Sequence, residues 1–503
     1  MTAKIVGLLE HGDARLVPMK SGLLLPLILV ACSQEVAEPD TPARPDVVLV
    51  VVDTLRADRL GCYGYERPTS PVIDRLAAEG ALFLEARAQC SWTLPSMASL
   101  MTGTYLTNPR DIYPEDVASL AERFQAEGYR TIGMVGNVIL SERMGYGEGF
   151  DRYDASGSSD VDRPRVGLCR TMDTMVDALQ PLLDSALTPE EDGSRAPLFL
   201  YVHPMDPHSP YLEHPEFDEE LPIAGAAALD DLSWQRELYA EEGATPSADD
   251  PRWEGAWREM SRARGLYDQE VRFTDQELGR LFEGLLDRGV LENAVVAIAG
   301  DHGESLWDNL APQPAEEWKT RPPKLFFHAE HDVFLRESLL KTPLILWGAG
   351  VEAARIEVPV ENVDLFPTLI ELSGIEMAAS SDGRSLVPLL AGRGASREHY
   401  FARVRQHVAV FEPSSGLKLI LPTGDGNTMG NFEIDSEPSL HDLSASPLER
   451  ENLYASRPAD VARLRAAIIA WSEAHPTEIH LQREKDPETI EALRALGYLG
   501  KDE

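Results

Sequence analysis

The sequence predicts an α/β/α sandwich, a mostly parallel central sheet with helices on both faces, followed by a small carboxyl-terminal α+β domain. Three observations predict it. The run Val47-Val48-Leu49-Val50-Val51-Val52 is aliphatic throughout and mostly β-branched, the pattern of a parallel strand buried on both faces. A second apolar run, Ala294-Val295-Val296-Ala297-Ile298-Ala299, lies far downstream. Between and around them, over 46–375, apolar strand patterns alternate with helical ones, as in sheets covered on both sides.

Each of the two apolar runs ends in an acid, Asp53 after the first and Gly300-Asp301-His302-Gly303 after the second. In open α/β sheets ligands bind beyond the carboxyl ends of strands. Asp53 before Thr-Leu-Arg also suits a helix cap, so on that stretch alone both roles stay open. Two strand tips that each deliver a hard oxygen ligand describe a metal site.

The remaining strands are expected at 131–136, 198–203 and 343–347, and the helices at 70–79, 95–101, 116–127, 170–184, 265–287 and 363–373. Residues 213–260 are acidic, rich in Trp and Ala and weakly periodic, and read as an insertion near the mouth of the site. The domain organisation that follows is a main domain over 46–380 and a smaller one over 381–480. The smaller one has short antiparallel strands at 406–411, 417–421 and 431–441 and a helix at 459–474. Residues 481–503 form a terminal helix and an acidic tail.

With 503 residues, the chain exceeds what one hydrophobic core usually organises. Its formal net charge of -38 opposes nucleic acid, whose phosphates it would repel. An anionic substrate is opposed too, unless a metal supplies local positive charge. Most of the carboxylates are read as a solvated surface. The four cysteines, Cys32, Cys62, Cys90 and Cys169, make no zinc spacing and no dense disulfide framework. Pairing of Cys62 with Cys90 stays open.

Residues 19–32 run from Met19-Lys20 through an apolar stretch to Ala31-Cys32. That is a secretory signal, too short to span a membrane. Leu29-Val30-Ala31-Cys32 resembles the lipobox of bacterial lipoproteins, which implies cleavage before Cys32 and lipidation of that cysteine. The signal peptide is thus placed within 1–32, with Met19 as the expected start and 33–45 as a tether. The expected location is the cell envelope, outer membrane or periplasm, held through the lipid on Cys32.

Ser91-Trp92-Thr93-Leu94-Pro95-Ser96 is the third landmark. Pro95 suits a first helical turn, which puts Thr93 at a helix amino terminus, where free N–H groups and the dipole favour an anion. A hydroxyl there, beside a divalent metal, can attack a phosphoryl or sulfuryl centre; it can also simply cap the helix.

Together, Val52-Asp53-Thr54-Leu55-Arg56, Thr93-Leu94-Pro95-Ser96-x-Ala98-Ser99-Leu100-Met101-Thr102-Gly103 and Gly300-Asp301-His302-Gly303-Glu304 resemble the sulfatase family of the alkaline phosphatase superfamily. Asp206-Pro207-His208, Tyr267-Asp268-Gln269-Glu270, Thr342-Pro343-Leu344, Asp364-Leu365-Phe366-Pro367, Asp382-Gly383-Arg384-Ser385 and His441-Asp442-Leu443 extend the likeness over roughly 46–455.

The resemblance implies a metal-dependent hydrolase of sulfuric or phosphoric esters. Asp53, Asp301 and His302 would hold the metal and Thr93, the nucleophile, would complete its coordination. His208 or His331 would protonate the departing alcohol or hold substrate oxygens, with His203 and Asp206 as near candidates. The metal is expected to be calcium, or zinc or manganese if phosphate is the substrate. The substrate is an anionic ester, a small molecule or a glycan.

The chain also departs from the family pattern. Formylglycine-forming sulfatases use Cys or Ser followed at plus two by Pro and at plus four by Arg, where this chain has Thr93, Pro95 and Met97. Thr is not expected to yield the aldehyde. Thr54 stands where the family has a second aspartate, and the region around Asn137 lacks the expected Lys and His. Threonine nucleophiles occur in related phosphodiesterases and phosphoethanolamine transferases. A phosphodiesterase, phosphonate hydrolase or phosphoryl transferase is therefore the first alternative, and a non-catalytic surface-binding protein on the same fold the second.

Overall fold

The computed structural model describes residues 44–105, 117–157, 170–223, 252–306, 331, 334–377, 381–423, 428–429, 432–433 and 437–475. The expected signal, the tether up to residue 43, most of the insertion and the terminal helix lie outside the described residues.

Nine strands form the main sheet: β1 (Asp46–Val52), β2 (Ala81–Arg87), β3 (Arg130–Val135), β4 (Arg152–Asp154), β5 (Leu198–His203), β6 (Ala294–Gly300), β7 (Lys341–Gly348), β8 (Ala354–Ile356) and β9 (Val360–Glu361). Their order is β4-β3-β5-β1-β6-β7-β2-β8, with β9 also on β2. β1 is parallel to both of its neighbours, in the registers Val50↔Val202 and Val52↔Gly300. β7 runs antiparallel to β6 and to β2, so the sheet is mostly parallel, as the aliphatic runs predict.

Alternation along β1 sends its side chains to two cores. Val47, Leu49 and Val51 pack on the face covered by α2 (Thr93–Thr102), α3 (Leu120–Ala126) and a helix at Leu365–Leu372. Val48, Val50 and Val52 pack on the opposite face, under α1 (Pro71–Glu79), α4 (Met172–Ala186) and α5 (Arg252–Asp287). All six are fully buried, and each such side chain contributes about 1.5–3 kcal/mol. The doubly buried run is what fixes this strand at the centre of the sandwich.

Several expectations shift. Ala81–Arg87 is a strand although Ala, Leu, Glu and Arg favour helix. Pairing with β7, β8 and β9 imposes it, a case of tertiary context overriding propensity. The helix expected from 265 begins at Arg252 and so takes up the end of the acidic insertion. Cys62 and Cys90 form no disulfide with each other.

A second, four-stranded antiparallel sheet follows, β10 (Tyr400–Arg403), β11 (His407–Glu412) and β12 (Leu417–Pro422), completed after the short β13 (Thr428–Met429) and β14 (Phe432–Glu433) by β15 (Ser439–Asp442). The single strand expected over 431–441 is thus replaced by β14 and β15. The helix Pro458–Ala474 packs on this sheet through Leu464, Ile468 and Trp471. Buried ions tie this sheet to the main one: Lys418 lies 2.9 Å from both Glu337 and Glu449, and Arg87 bonds Glu337. No helix among the described residues is long and apolar enough to cross a membrane.

Candidate active site

Four adjacent parallel strands, β3, β5, β1 and β6, end on the same edge of the sheet, and each delivers a polar residue there. These are Asn137 just past β3, His203 at the end of β5, Asp53 past β1 and Asp301 past β6. Backbone bonds pin the tips: Asp53 N donates to Pro204 O at 3.1 Å and Asp301 N to Val52 O at 3.4 Å. This is the carboxyl edge where α/β sheets bind ligands.

Asp53, His203 and Asp301 offer ligand atoms that all lie within 4.8 Å of one another, and all three residues are buried. Asn137 Nδ2 donates to Asp53 Oδ2 at 2.8 Å, and His203 Nε2 sits 3.3 Å from the same oxygen. Asp301 Oδ1 accepts from Thr54 N at 3.0 Å and His302 N at 2.7 Å. Asp53 Oδ1 and Asp301 Oδ2 accept no hydrogen bond among the described residues. Two buried carboxylate oxygens without donors are costly unless a cation meets them. The donor set, two carboxylates and an imidazole, therefore fits a divalent metal.

The titration of the pair tells the same story. Burial pushes both acids up, but for Asp53 the hydrogen bond from His203 and the fields of His208, His203 and His302 win and hold it below the usual range. Asp301 is pushed well above that range by burial and by the charge of Asp53.

The backbone beyond Asp53 is held in an unusual shape. Thr54 has φ 53°, in the left-handed region, although it is β-branched and not glycine. Such a residue costs on the order of 1–3 kcal/mol and persists only when its surroundings over-determine it. Here Tyr267 of α5 does so: its hydroxyl donates to Thr54 O at 2.8 Å and accepts from Arg56 N at 3.0 Å. Asp53 is thus not a helix cap, since the next helical turn starts at Ala57 and has no side-chain cap.

Thr93 is the first residue of α2, and Trp92 occupies the cap position with no side-chain cap bond. Its hydroxyl lies instead 3.2 Å from His302 Nε2. His302 Nδ1 faces Gly303 O at 2.8 Å, and a carbonyl only accepts, so Nδ1 carries the proton and Nε2 presents its lone pair to Thr93. Burial, then the charge of His331, pushes His302 well below the usual imidazole range. His302 Nε2 is also 3.4 Å from Asp301 Oδ2. It therefore stands at the edge of the acid cluster, with His203 grouped inside it.

His208 and His331 face each other across 3.2 Å, Nε2 to Nε2, and the His331 ring lies 4.6 Å from that of His302. Every residue singled out for chemistry from the sequence (Asp53, Thr93, His208, Asp301, His302 and His331) is buried and belongs to this one connected group. Asp206, a near candidate, accepts from Met172 N at 2.9 Å at the start of α4, so it orients a helix. Met97 packs into the core beneath α2. Asn137 and Glu304 are site residues that sequence reasoning did not assign a role. Glu304 shares the Gly300–Glu304 motif, which was the available signal.

An α/β fold that gathers acids and imidazoles at strand tips, opposite a hydroxyl at a helix start, defines a hydrolase centre. The comparisons with known proteins agree. The sulfatase family profile matches residues 45–375, and the chain belongs to the sulfatase family of the alkaline phosphatase superfamily, whose members are ester hydrolases. It is 26% identical to human iduronate 2-sulfatase over 71% of this chain and 74% of that protein. It is also 26% identical to human arylsulfatase A, over 85% and 86%. Among solved structures, the phosphonate monoester hydrolase of Agrobacterium radiobacter superposes with a TM-score of 0.62 at 18% identity, covering 85% of this chain and 95% of that one. The family generally binds a divalent metal.

Proposed function

We propose that the chain hydrolyses a sulfuric or phosphoric ester, with Thr93 as nucleophile. The observation that carries this reading is the Thr93 hydroxyl, buried at the start of α2, 3.2 Å from an imidazole nitrogen whose lone pair faces it. Asp53, His203 and Asp301 would hold a divalent cation. When bound, that cation supplies Lewis-acid polarisation of the ester oxygens. The protein's own contributions are otherwise these. The first turn of α2 directs its N–H groups toward an anion. His302 Nε2 accepts the proton of Thr93 Oγ1. The His208–His331 pair returns a proton to the departing alcohol. Burial excludes bulk water from all of these groups.

Sulfate esters are favoured by the names of the relatives, iduronate 2-sulfatase and arylsulfatase A. Thr93 itself favours a second reading, phosphodiester or phosphonate monoester hydrolysis. A phospho-threonine is cleared by water, whereas a sulfo-threonine lacks the elimination route open to an aldehyde hydrate. Parallel assays on aryl sulfate, phosphate monoester, phosphodiester and phosphonate monoester, with metal content measured and Thr93→Ala as control, separate the readings. Turnover of sulfate alone supports the first, and phosphodiester or phosphonate turnover supports the second. Activity that survives intact in Thr93→Ala contradicts both.

Calcium is the cation proposed for sulfate chemistry, and zinc or manganese for phosphate. The lipobox at Leu29–Cys32 supports a lipid anchor at Cys32 and an envelope location. Loss of detergent-phase partitioning in Cys32→Ala, expressed from Met19, tests it.

A further inference from the structure

Beyond the nucleophile side, the structure orders a second trio. Glu304 is 1% exposed, and its Oε1 lies 3.3 Å from His331 Nδ1. Ser305 N donates to the carboxyl oxygen Oε1 at 3.0 Å, and Arg56 Nη1 holds the main-chain carbonyl of Glu304 at 3.0 Å. Its other oxygen, Oε2, is buried and accepts no hydrogen bond among the described residues. At the far end of the trio, His208 Nδ1 lies 2.5 Å from Ser209 O.

Donor and acceptor parity then constrains the protons. Ser209 O only accepts, so His208 Nδ1 carries a proton. Glu304 Oε1 holds His331 Nδ1 at the other end of the trio. Both outer nitrogens are thereby committed. The inner Nε2 atoms are thereby turned toward each other, 3.2 Å apart.

We propose that Glu304 is a positioning residue for the leaving-group side of the reaction. It holds His331 by Nδ1, so that the ring presents its Nε2 toward His208 on the leaving-group side. The inference rests on the ester-hydrolase reading of this site. As the ester S–O or P–O bond breaks, the bonding pair stays on the departing alcohol oxygen. That oxygen takes a proton from the His208–His331 pair, and the water that hydrolyses the adduct returns one to it. No group outside the site and solvent is needed. Glu304 touches no reacting atom; it acts through His331, as the orienting third member of a base arrangement does.

The test uses the full-length, metal-loaded enzyme, its Glu304→Ala and Glu304→Gln variants, and two aryl esters, phenyl and 4-nitrophenyl. Nitrophenolate leaves without protonation, whereas phenolate needs a proton. In Glu304→Ala, kcat for the phenyl ester is expected to fall by about 100-fold or more. For the 4-nitrophenyl ester it is expected to fall by less than about 10-fold, with KM nearly unchanged for both. Glu304→Gln, whose amide oxygen still accepts from Nδ1, should recover most of the loss. An equal fall on both esters, or no fall on either, overturns the proposal, since a merely structural role is blind to the leaving group.

If the wild type hydrolyses neither ester, the hydrolase reading fails instead, and imidazole ¹H–¹⁵N correlation spectra decide the positioning claim by themselves. A His331 Nδ1–H signal that disappears in Glu304→Ala supports it, and an unchanged signal overturns it. An unchanged unfolding temperature in Glu304→Gln guards against loss of fold.

Discussion

Replacing Asp301 by Asn separates the cost of the buried acid pair from its use. Asp301 Oδ1 accepts Thr54 N and His302 N at 3.0 and 2.7 Å, and an amide oxygen in its place keeps both bonds. The amide nitrogen then replaces Oδ2, which has no donor among the described residues, and offers a donor toward Asp53. A buried polar group left unsatisfied costs about 1–3 kcal/mol. The cation-free variant is therefore expected to be more stable than cation-free wild type by about that amount. A saturating cation reverses the order. Binding at 100 times Kd stabilises the wild type by about 2.7 kcal/mol, and the variant, short of one carboxylate, gains much less. The assay is urea unfolding after EDTA treatment and again with calcium, manganese or zinc in excess. If the EDTA-treated variant unfolds at lower urea than wild type, or gains as much from cations, Asp53 and Asp301 are not a cation site.

Other perturbations probe the supports of the site. Lys418→Met should cost about 3–5 kcal/mol, read as a fall in urea midpoint, because it strands Glu449 and weakens the hold on Glu337. Tyr267→Phe removes the hydroxyl that bridges Thr54 O and Arg56 N. Stability should drop by about 1–3 kcal/mol, and calorimetric titration should show weaker cation binding, because Thr54 N is one of the two N–H groups that orient Asp301. Asp275 gives a pH signature. Burial, outweighing the N–H groups of Ile73 and Val72, pushes its carboxyl from 3.8 up to about 7. The folded state therefore holds this proton where the unfolded state has lost it. Stability is full below the unfolded value and falls as pH rises through that window. Asp275→Asn should remove this fall, and unfolding midpoints that track wild type from pH 4 to 8 would contradict the assignment.

How much of this was legible in the sequence differs between the frame and the supports. Val47–Val52 and Ala294–Ala299 name their strands because burial on both faces allows almost nothing but aliphatic residues. The acids at their tips stand out because an aliphatic run has no structural use for them. The strand Ala81–Arg87 was hidden, since its residues favour helix and only its partners make it extended. His203 ends its strand like any boundary residue. Its grouping with Asp53 and Asp301 depends on β5 lying beside β1, a sheet order that no local pattern contains. Asn137 reads from the sequence as a loss relative to the family pattern, yet it donates a buried hydrogen bond to Asp53. Tyr267 belongs to a quoted motif, but its task depends on a turn over two hundred residues away in the chain.

The central claim is that the Thr93 hydroxyl attacks the ester and carries the transferred group. The most direct measurement is acid-quenched turnover followed by peptide mass mapping. The claim predicts a sulfo or phospho adduct on the peptide containing Thr93, formed in wild type and absent in Thr93→Ala together with activity. Turnover that leaves no adduct at any quench time, alongside a Thr93→Ala variant that remains active, would contradict it.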